Sequence, residues 1–301
     1  MSDYWIIFLD GYRNYAHYLW GELTQFRLHN YFLWLLGLSL FFFLLEVLRP
    51  WRPEQAKFRK DFWLDAFYMV FNFFLFSLVI YNAASDVFVQ LFKDLLGQVG
   101  LRNLVAIEVG GWPVWAQLLT LFLVRDFVQW NVHRLLHRVP FLWEFHKVHH
   151  SVEEMGFAAH LRYHWMENVV YRCLEYLPLA MIGFGIDDFF VVHIFTLAVG
   201  HFNHSNLRIP LGPLRYLFNN PQMHIWHHAK HLPQEHPHGM NFGLTLSIWD
   251  YLFGTASIPH EGRDIELGFP GDDGFPKGFL GQSLHGLGPQ ERGDPGHPPH
   301  P

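Results

Sequence analysis

The amino-acid sequence predicts an all-α fold. It reads as an integral membrane helical bundle of four or five spans, one pair forming a hairpin, with a cytoplasmic helical cap holding a histidine-rich dinuclear metal site. Three observations predict it. Apolar runs of membrane length recur, the first from Tyr31 to Leu48 (YFLWLLGLSLFFFLLEVL). Charged residues make up 16% of the 301 residues, below the roughly 25% usual in soluble domains. Finally, many of the 22 histidines stand at fixed spacings: His133-x3-His137, His146-x2-His149-His150, His201-x2-His204 and His224-x2-His227-His228.

Taken in order, residues 1–30 read as an N-terminal interfacial segment. It has no basic region before an apolar stretch and no small-residue cleavage site, so no removable signal peptide is expected. Tyr31 to Leu48 is the first span. A basic loop follows, with Arg49, Arg52, Lys57, Arg59 and Lys60. Glu46 reads as an ion-pair partner of Arg49 at the membrane edge. Phe62 to Asn82 is the second span, interrupted by Asp65 and Asn72, and Val87 to Glu108 is mixed and reads as interfacial. Pro113 to Trp130 is the third span, opened by a proline that suits a helix start. Val169 to Phe184 and Phe189 to Val199 read as a hairpin joined by the short link 185–188. Pro210 to Thr255 reads as short helices and turns, which places the domain at 31–262. Residues 263–301 form a Gly/Pro-rich tail, with Pro289 to Pro301 expected to be disordered.

Topology tests the metal idea. The positive-inside rule puts the loop 49–60 in the cytoplasm. Span two leaves that side and span three returns to it, delivering His133 and His137 beside the triplet 146–150. The hairpin departs and returns with His201 and His204, and His224, His227 and His228 follow without another crossing. All four clusters land on one face.

On a helix, i, i+3 and i+4 are neighbours, so each His-x2-His-His triplet presents three imidazoles together. Two triplets and two pairs can hold more than one metal ion. Neutral imidazole suits iron, zinc, copper and nickel, so ligand type alone does not name the metal. His160 and His164 form a further His-x3-His, in which each residue reads as a ligand, a proton donor or a polar residue. His231, His236, His238, His260, His285, His297 and His300 read as solvated loop and tail residues. Asp126 lies two helical turns before His133, where a carboxylate can fix a ligand's tautomer or pair with Arg125 or Arg134. Asp250 is a similar candidate.

Several classes are excluded. A net charge of −6 leaves no basic footprint for nucleic acid. The single cysteine, Cys173, forms no intrachain disulfide and no Cys-rich cluster, and reads as a small buried residue. There is no His-Glu-x2-His, no Gly-x-Ser-x-Gly and no Gly-rich phosphate loop.

Four ordered segments carry a family resemblance. They are Asp126…His133-Arg-Leu-Leu-His137; Leu142-Trp-Glu-Phe-His146-Lys-Val-His149-His150-Ser151; His204-Ser205-Asn206; and Pro221-Gln-Met-His224-Ile-Trp-His227-His228 followed by Asn241-Phe-Gly and Trp249-Asp250…Phe253-Gly254-Thr255. Over roughly residues 30 to 260 the chain resembles the fatty acid hydroxylase superfamily, also called the sterol desaturase family. The resemblance implies a membrane oxidoreductase with two iron ions in a histidine cage, which hydroxylates or desaturates a sterol, fatty acyl chain or related lipid using O2 and an external reductant. The implied ligands are His133, His137, His146, His149, His150, His201, His204, His224, His227 and His228, with His164 as a further candidate. Asp126, Asp250, Asn241 and Glu167 are the supporting residues. In the segment Arg162-Tyr-His164-Trp165-Met-Glu167, Trp165 stands where the family usually has proline. With no haem-binding domain at either end, electrons are expected from a separate ferredoxin-, cytochrome b5- or reductase-like protein. The cavity over the metals is expected to be apolar and open to the bilayer. Two other classes remain open: a membrane-embedded zinc hydrolase, which would need no O2, and a metal transport or sensing protein, whose ligands would line a path at mid-membrane.

Overall fold

The computed structural model describes residues 2–100, 104–183 and 186–288. Pro289–Pro301, expected to be disordered, and part of the hairpin link lie outside the described residues. Among the described residues the fold is helical, with isolated β-bridges such as Pro50 with Leu207 as its only extended pairing.

Helix α1 (Ser2–Thr24) precedes α2 (Tyr31–Leu48). Asn30 caps α2 by accepting from Leu33 N, and its amide donates back to the Glu22 and Gln25 carbonyls. The outer face of α2 is unusually bare: Leu40 is 58% exposed and Phe41 53%. A row of exposed apolar side chains on an 18-residue apolar helix suits lipid rather than a packed interior. Helix α3 (Phe62–Val70) runs through π-helical turns at 71–75 and 77–81 into α4 (Asn82–Gln98). Tyr31–Leu48 and Phe62–Val79 are the two described helices long and apolar enough to cross a membrane.

Both polar residues that interrupt the second apolar run have structural work. Asn72 donates to the carbonyls of Leu161 and Tyr163. Asp65, fully buried, pairs with Arg59 and Arg162. Glu46 departs from its expected role. Instead of meeting Arg49, it accepts from the backbone N–H groups of Phe157 and Asn206, tying α2 to the loops beneath it.

Helix α5 (Val114–Arg138) is the central element. Pro140 ends it, because the residue before proline is driven out of the helical region. Val139 is accordingly extended, at φ −95° and ψ 114°. Pro140 then opens α6 (Pro140–His150), which folds back against α5. The two arms expected to form a hairpin, α7 (Trp165–Ala180) and α8 (Ile186–His204), both pack on α5, through Leu121, Leu179 and Val192. Short helices complete the chain: α9 (Pro221–His227), α10 (Ile248–Leu252) and α11 (Phe279–Leu284).

Within the Gly/Pro-rich stretch 263–288, Phe269 and Phe275 are buried with Trp143 and Val148, because the apolar residues of this stretch find a face of α6 to cover. One expectation changes here. Cys173 is exposed rather than buried.

Candidate metal centre

Nine imidazoles converge at the end of α5. They fall into two groups: His133, His137, His146, His150 and His227; and His149, His204, His224 and His228. Within each group the candidate ligand atoms lie within 4.8 Å of one another, and every residue is buried. The helical spacing explains the sorting. In α6, His146 and His150 serve the first group and His149 the second; in α9 and its C-cap, His224 and His228 serve the second group and His227 the first. Each triplet therefore splits, its i and i+4 members facing one group and its i+3 member the other. The two helices do so in opposite senses.

Hydrogen bonds fix the tautomers. A carbonyl or carboxylate only accepts, so a ring nitrogen beside one carries the proton. The Nδ1–H of His133 donates to Phe242 O at 2.7 Å, that of His149 to Arg162 O at 2.9 Å, that of His204 to Gly200 O at 2.8 Å and that of His227 to Met240 O at 2.8 Å. His146 Nδ1 donates to Glu167 Oε2 at 2.9 Å. The Nε2 atoms of these rings are then bare lone pairs. Yet His133 Nε2 lies 3.1 Å from His146 Nε2, and His149 Nε2 lies 3.3 Å from His204 Nε2. Two lone pairs at that distance repel unless a cation sits between them. Protons are not the answer, since burial holds His149 at about 4 and His133 at about 3. A metal ion fits: bonds of about 2.1 Å place neighbouring donors roughly 3.0–3.4 Å apart. Three further buried ring nitrogens, His137 Nε2, His224 Nδ1 and His228 Nδ1, have no hydrogen-bond partner.

The loop 240–243 is held for this purpose. Asn241 adopts φ +55°, in the left-handed region where asparagine is tolerated. Its side chain donates to Met223 O and Ser257 O and accepts from Ser257 N. The carbonyls on either side of it, Met240 and Phe242, receive His227 and His133. Asp250 accepts from Phe242 N, Gly243 N, Trp130 Nε1 and Thr255 Oγ1. It thus positions the loop, not a ligand directly. Asp126 acts at one further remove. It meets neither a histidine nor Arg125 or Arg134, and accepts instead from Thr245 N, Leu246 N and Trp249 Nε1. The helix turns it towards that loop, whose unpaired N–H groups need a buried acceptor. Glu167 is the one supporting carboxylate that touches a candidate ligand.

Two expected ligands stand apart. His201 bonds His160 Nδ1 and Ser39 Oγ, and lies outside both groups. It precedes His204 by three residues, but the α8 face that meets the centre carries His204 and Gly200. His164 reaches Ser283 O at 2.8 Å and stacks on Phe145. Missing from the sequence reading were Arg162, whose carbonyl holds His149 while its guanidinium pairs with Asp61 and Asp65, and the carbonyls of Met240 and Phe242. Backbone acceptors carry no residue-type signal. Arg162 offered a weak one, as a lone cation between apolar stretches.

A cavity of about 1180 Å³ reaches His133, His146, His149, His204 and His224. It is not purely apolar as expected: Arg125, Gln129 and Glu175 are in its wall. A smaller cavity of about 350 Å³ reaches His137, His150 and His227 from the other side, past Trp143.

Residues 118–255 match the family model described as fatty acid hydroxylase. Over that stretch the chain is similar to the fatty acid hydroxylase family. It is 32% identical over 171 residues to the ornithine lipid hydroxylase OlsE of Rhizobium tropici, covering 57% of this chain and 50% of that protein. It is 35% identical over 158 residues to the alkylglycerol monooxygenase of Xenopus tropicalis, covering 51% of this chain and 33% of that protein. A very-long-chain aldehyde decarbonylase of Oryza sativa subsp. japonica is 28% identical over 143 residues, covering 46% of each. The chain thus spans half or less of the length of these relatives. No solved structure matches it.

Proposed function

We propose that this chain is a member of the fatty acid hydroxylase superfamily and an iron-dependent membrane oxidoreductase that hydroxylates or desaturates a lipid with O2. The observation that carries the reading is the pair of opposed, proton-free Nε2 contacts, His133 with His146 and His149 with His204, at the end of a large cavity. The two histidine groups would each hold one iron, and two irons supply reductive activation of O2 for attack on an unactivated C–H bond. Hydroxylation balances as C–H, O2, two electrons and two protons giving C–OH and water. The chain's own part is geometric and electrostatic. The Phe242, Arg162, Gly200 and Met240 carbonyls and Glu167 keep Nε2 lone pairs turned inward. The buried surroundings keep every imidazole neutral and exclude bulk water. The larger cavity positions a lipid against the first-group and second-group histidines that line it.

The electrons come from a separate ferredoxin-, cytochrome b5- or reductase-like protein; one cysteine cannot ligate an iron–sulfur cluster. We read α2, the 62–82 stretch, the first part of α5 and the α7–α8 arms as the membrane-crossing elements. The metal end then faces the cytoplasm. Its support is that the basic loop lies on that end: Trp51 N donates to Asn206 O, and Lys60 meets Glu153. The test compares lipids from cells with and without the gene, and with the His149→Ala and His227→Ala variants, by mass spectrometry. A gain of one oxygen or loss of two hydrogens that needs air and both histidines supports the reading. Full lipid oxidation by iron-free variants would sink it.

A further inference from the structure

The larger cavity has a second pole. Arg125 of α5 stands there against Glu175 of α7, with Nε 3.5 Å from Glu175 Oε2 and Nη1 3.4 Å from Thr196 Oγ1 of α8. Gln129 donates to the other oxygen of Glu175 at 2.6 Å. The paired side chains are 17% and 13% exposed, and all four residues line the cavity.

Two helices fix the distance from this pair to the metal centre. Arg125 precedes His133 by eight residues on α5. Glu175 follows Glu167, the acceptor for His146, by eight residues on α7. Eight residues of α-helix rise about 12 Å. Both helices therefore carry one end of the cavity at the histidines and the other at the charged pair. Ionised side chains among apolar helices are costly and mark ligand paths. Contacts of 3.4–3.5 Å lie at the long end of hydrogen bonding, so the guanidinium is loosely held by its protein partners.

We infer that Arg125 and Glu175, braced by Gln129, form a headgroup subsite for a lipid whose head carries one anionic and one ammonium group. The inference rests on the reading of the chain as a lipid oxidoreductase. The planar guanidinium meets the phosphate or carboxylate of the head, and Glu175 accepts from its ammonium. Arg172 lines the same cavity and adds a second cation there; a head with only negative charge would still set it beside Glu175, and an uncharged glycerol head would leave the protein charges without a ligand partner. A head held there places the reacting carbon within about 12 Å of it, the helix rise between the two poles.

The test is lipid retention by the purified full-length chain in detergent. The chain is offered an equimolar mixture of phosphatidylethanolamine, an amino-acid lipid with free carboxylate and ammonium, phosphatidylglycerol and diacylglycerol. All four share the same acyl chains, and bound species are read by native mass spectrometry. Retention of a zwitterionic class at least about tenfold over diacylglycerol and phosphatidylglycerol is expected, the discrimination of one charge-assisted hydrogen bond. The preferred zwitterion identifies the anion as phosphate or carboxylate. Arg125→Gln and Glu175→Gln should erase the preference at unchanged metal content, and Glu175→Asp should restore part of it. Equal retention of all four lipids by the unaltered chain overturns the subsite, as does a preference that survives both neutral variants. Oxidation of lipids irrespective of head would overturn the subsite alone. Selective retention with no oxidation of any lipid would overturn the functional reading and leave the subsite standing.

Discussion

The two histidine groups differ less in composition than in what braces them. In the five-histidine group, His133 and His227 are braced by the loop 240–243 and His146 by a carboxylate. In the four-histidine group, His149 and His204 lean on the carbonyls of Arg162 and Gly200. His224 and His228 each leave a buried Nδ1 without a hydrogen-bond partner, as His137 of the first group leaves its Nε2. The first group meets both cavities, while the second meets the larger one alone. Trp143 adds an aromatic wall to the first, 5.0 Å from His137 and 5.2 Å from His150 between ring centroids. The lesson is asymmetry. One group is braced by a carboxylate and a single loop and meets two cavities; the other leans on separate carbonyls and meets one.

The sharpest way to break that asymmetry is to remove one ligand from each group. His149→Ala leaves three imidazoles in the second group, and His227→Ala leaves four in the first. Lipid oxidation should fall to background in both. Metal content should drop from about two equivalents to about one in His149→Ala and less in His227→Ala, because binding strength follows ligand count. Elemental analysis of purified protein reads the difference, and equal losses would remove the asymmetry. Glu167→Gln comes next. An amide can still accept from His146 but without a charge, and losing such a partner costs about 10–100-fold in metal affinity or activity. A titration with ferrous ion under argon checks this; unchanged affinity would show that Glu167 does not tune the first group.

Smaller effects test the bracing loop. Asn241→Ala removes the side-chain bonds and keeps the positive φ, so it should destabilise the protein by about 1–3 kcal/mol. Asn241→Gly, which tolerates that φ, should recover part of the loss in thermal unfolding. A larger loss in the glycine variant than in the alanine variant would contradict the backbone argument. The smallest effect is expected at the two histidines outside the groups. His164→Ala and His201→Ala should retain full metal content, and loss of an equivalent from either would return that residue to the ligand set.

Those last two positions show where the sequence was legible and where it was not. The repeated i, i+3, i+4 pattern identified eight of the nine grouped histidines, because helix periodicity is a local property. His204 and His201 form a pair that spacing treats alike. Only the approach of α8 to the centre separates them, along a face where Gly200 leaves room for the ring of His160: a Cβ there would lie 2.1 Å from it. Asp126 looked like a partner for His133 from its position two turns away. Its true acceptor role depends on residues 245–249, more than a hundred positions on. Apolar length read Pro113 to Trp130 of α5 as a span beside the two helices that can cross a membrane by length and composition, but it gave no sign that the buried Asp126 on that helix serves residues 245–249. The charged pole of the cavity was invisible for the same reason: Arg125 and Glu175 meet only in three dimensions.

The splitting of the triplets also bears on how the chain is made. When synthesis has reached Asn220, four of the five residues of the first group exist, and two of the four of the second. Helix α9 and its C-cap, His228, then supply the missing member of one and the missing pair of the other. Neither group closes early and waits for its neighbour. Both sets of candidate ligands are thereby completed by one short segment late in the chain. A chain cut short before Pro221 could complete neither.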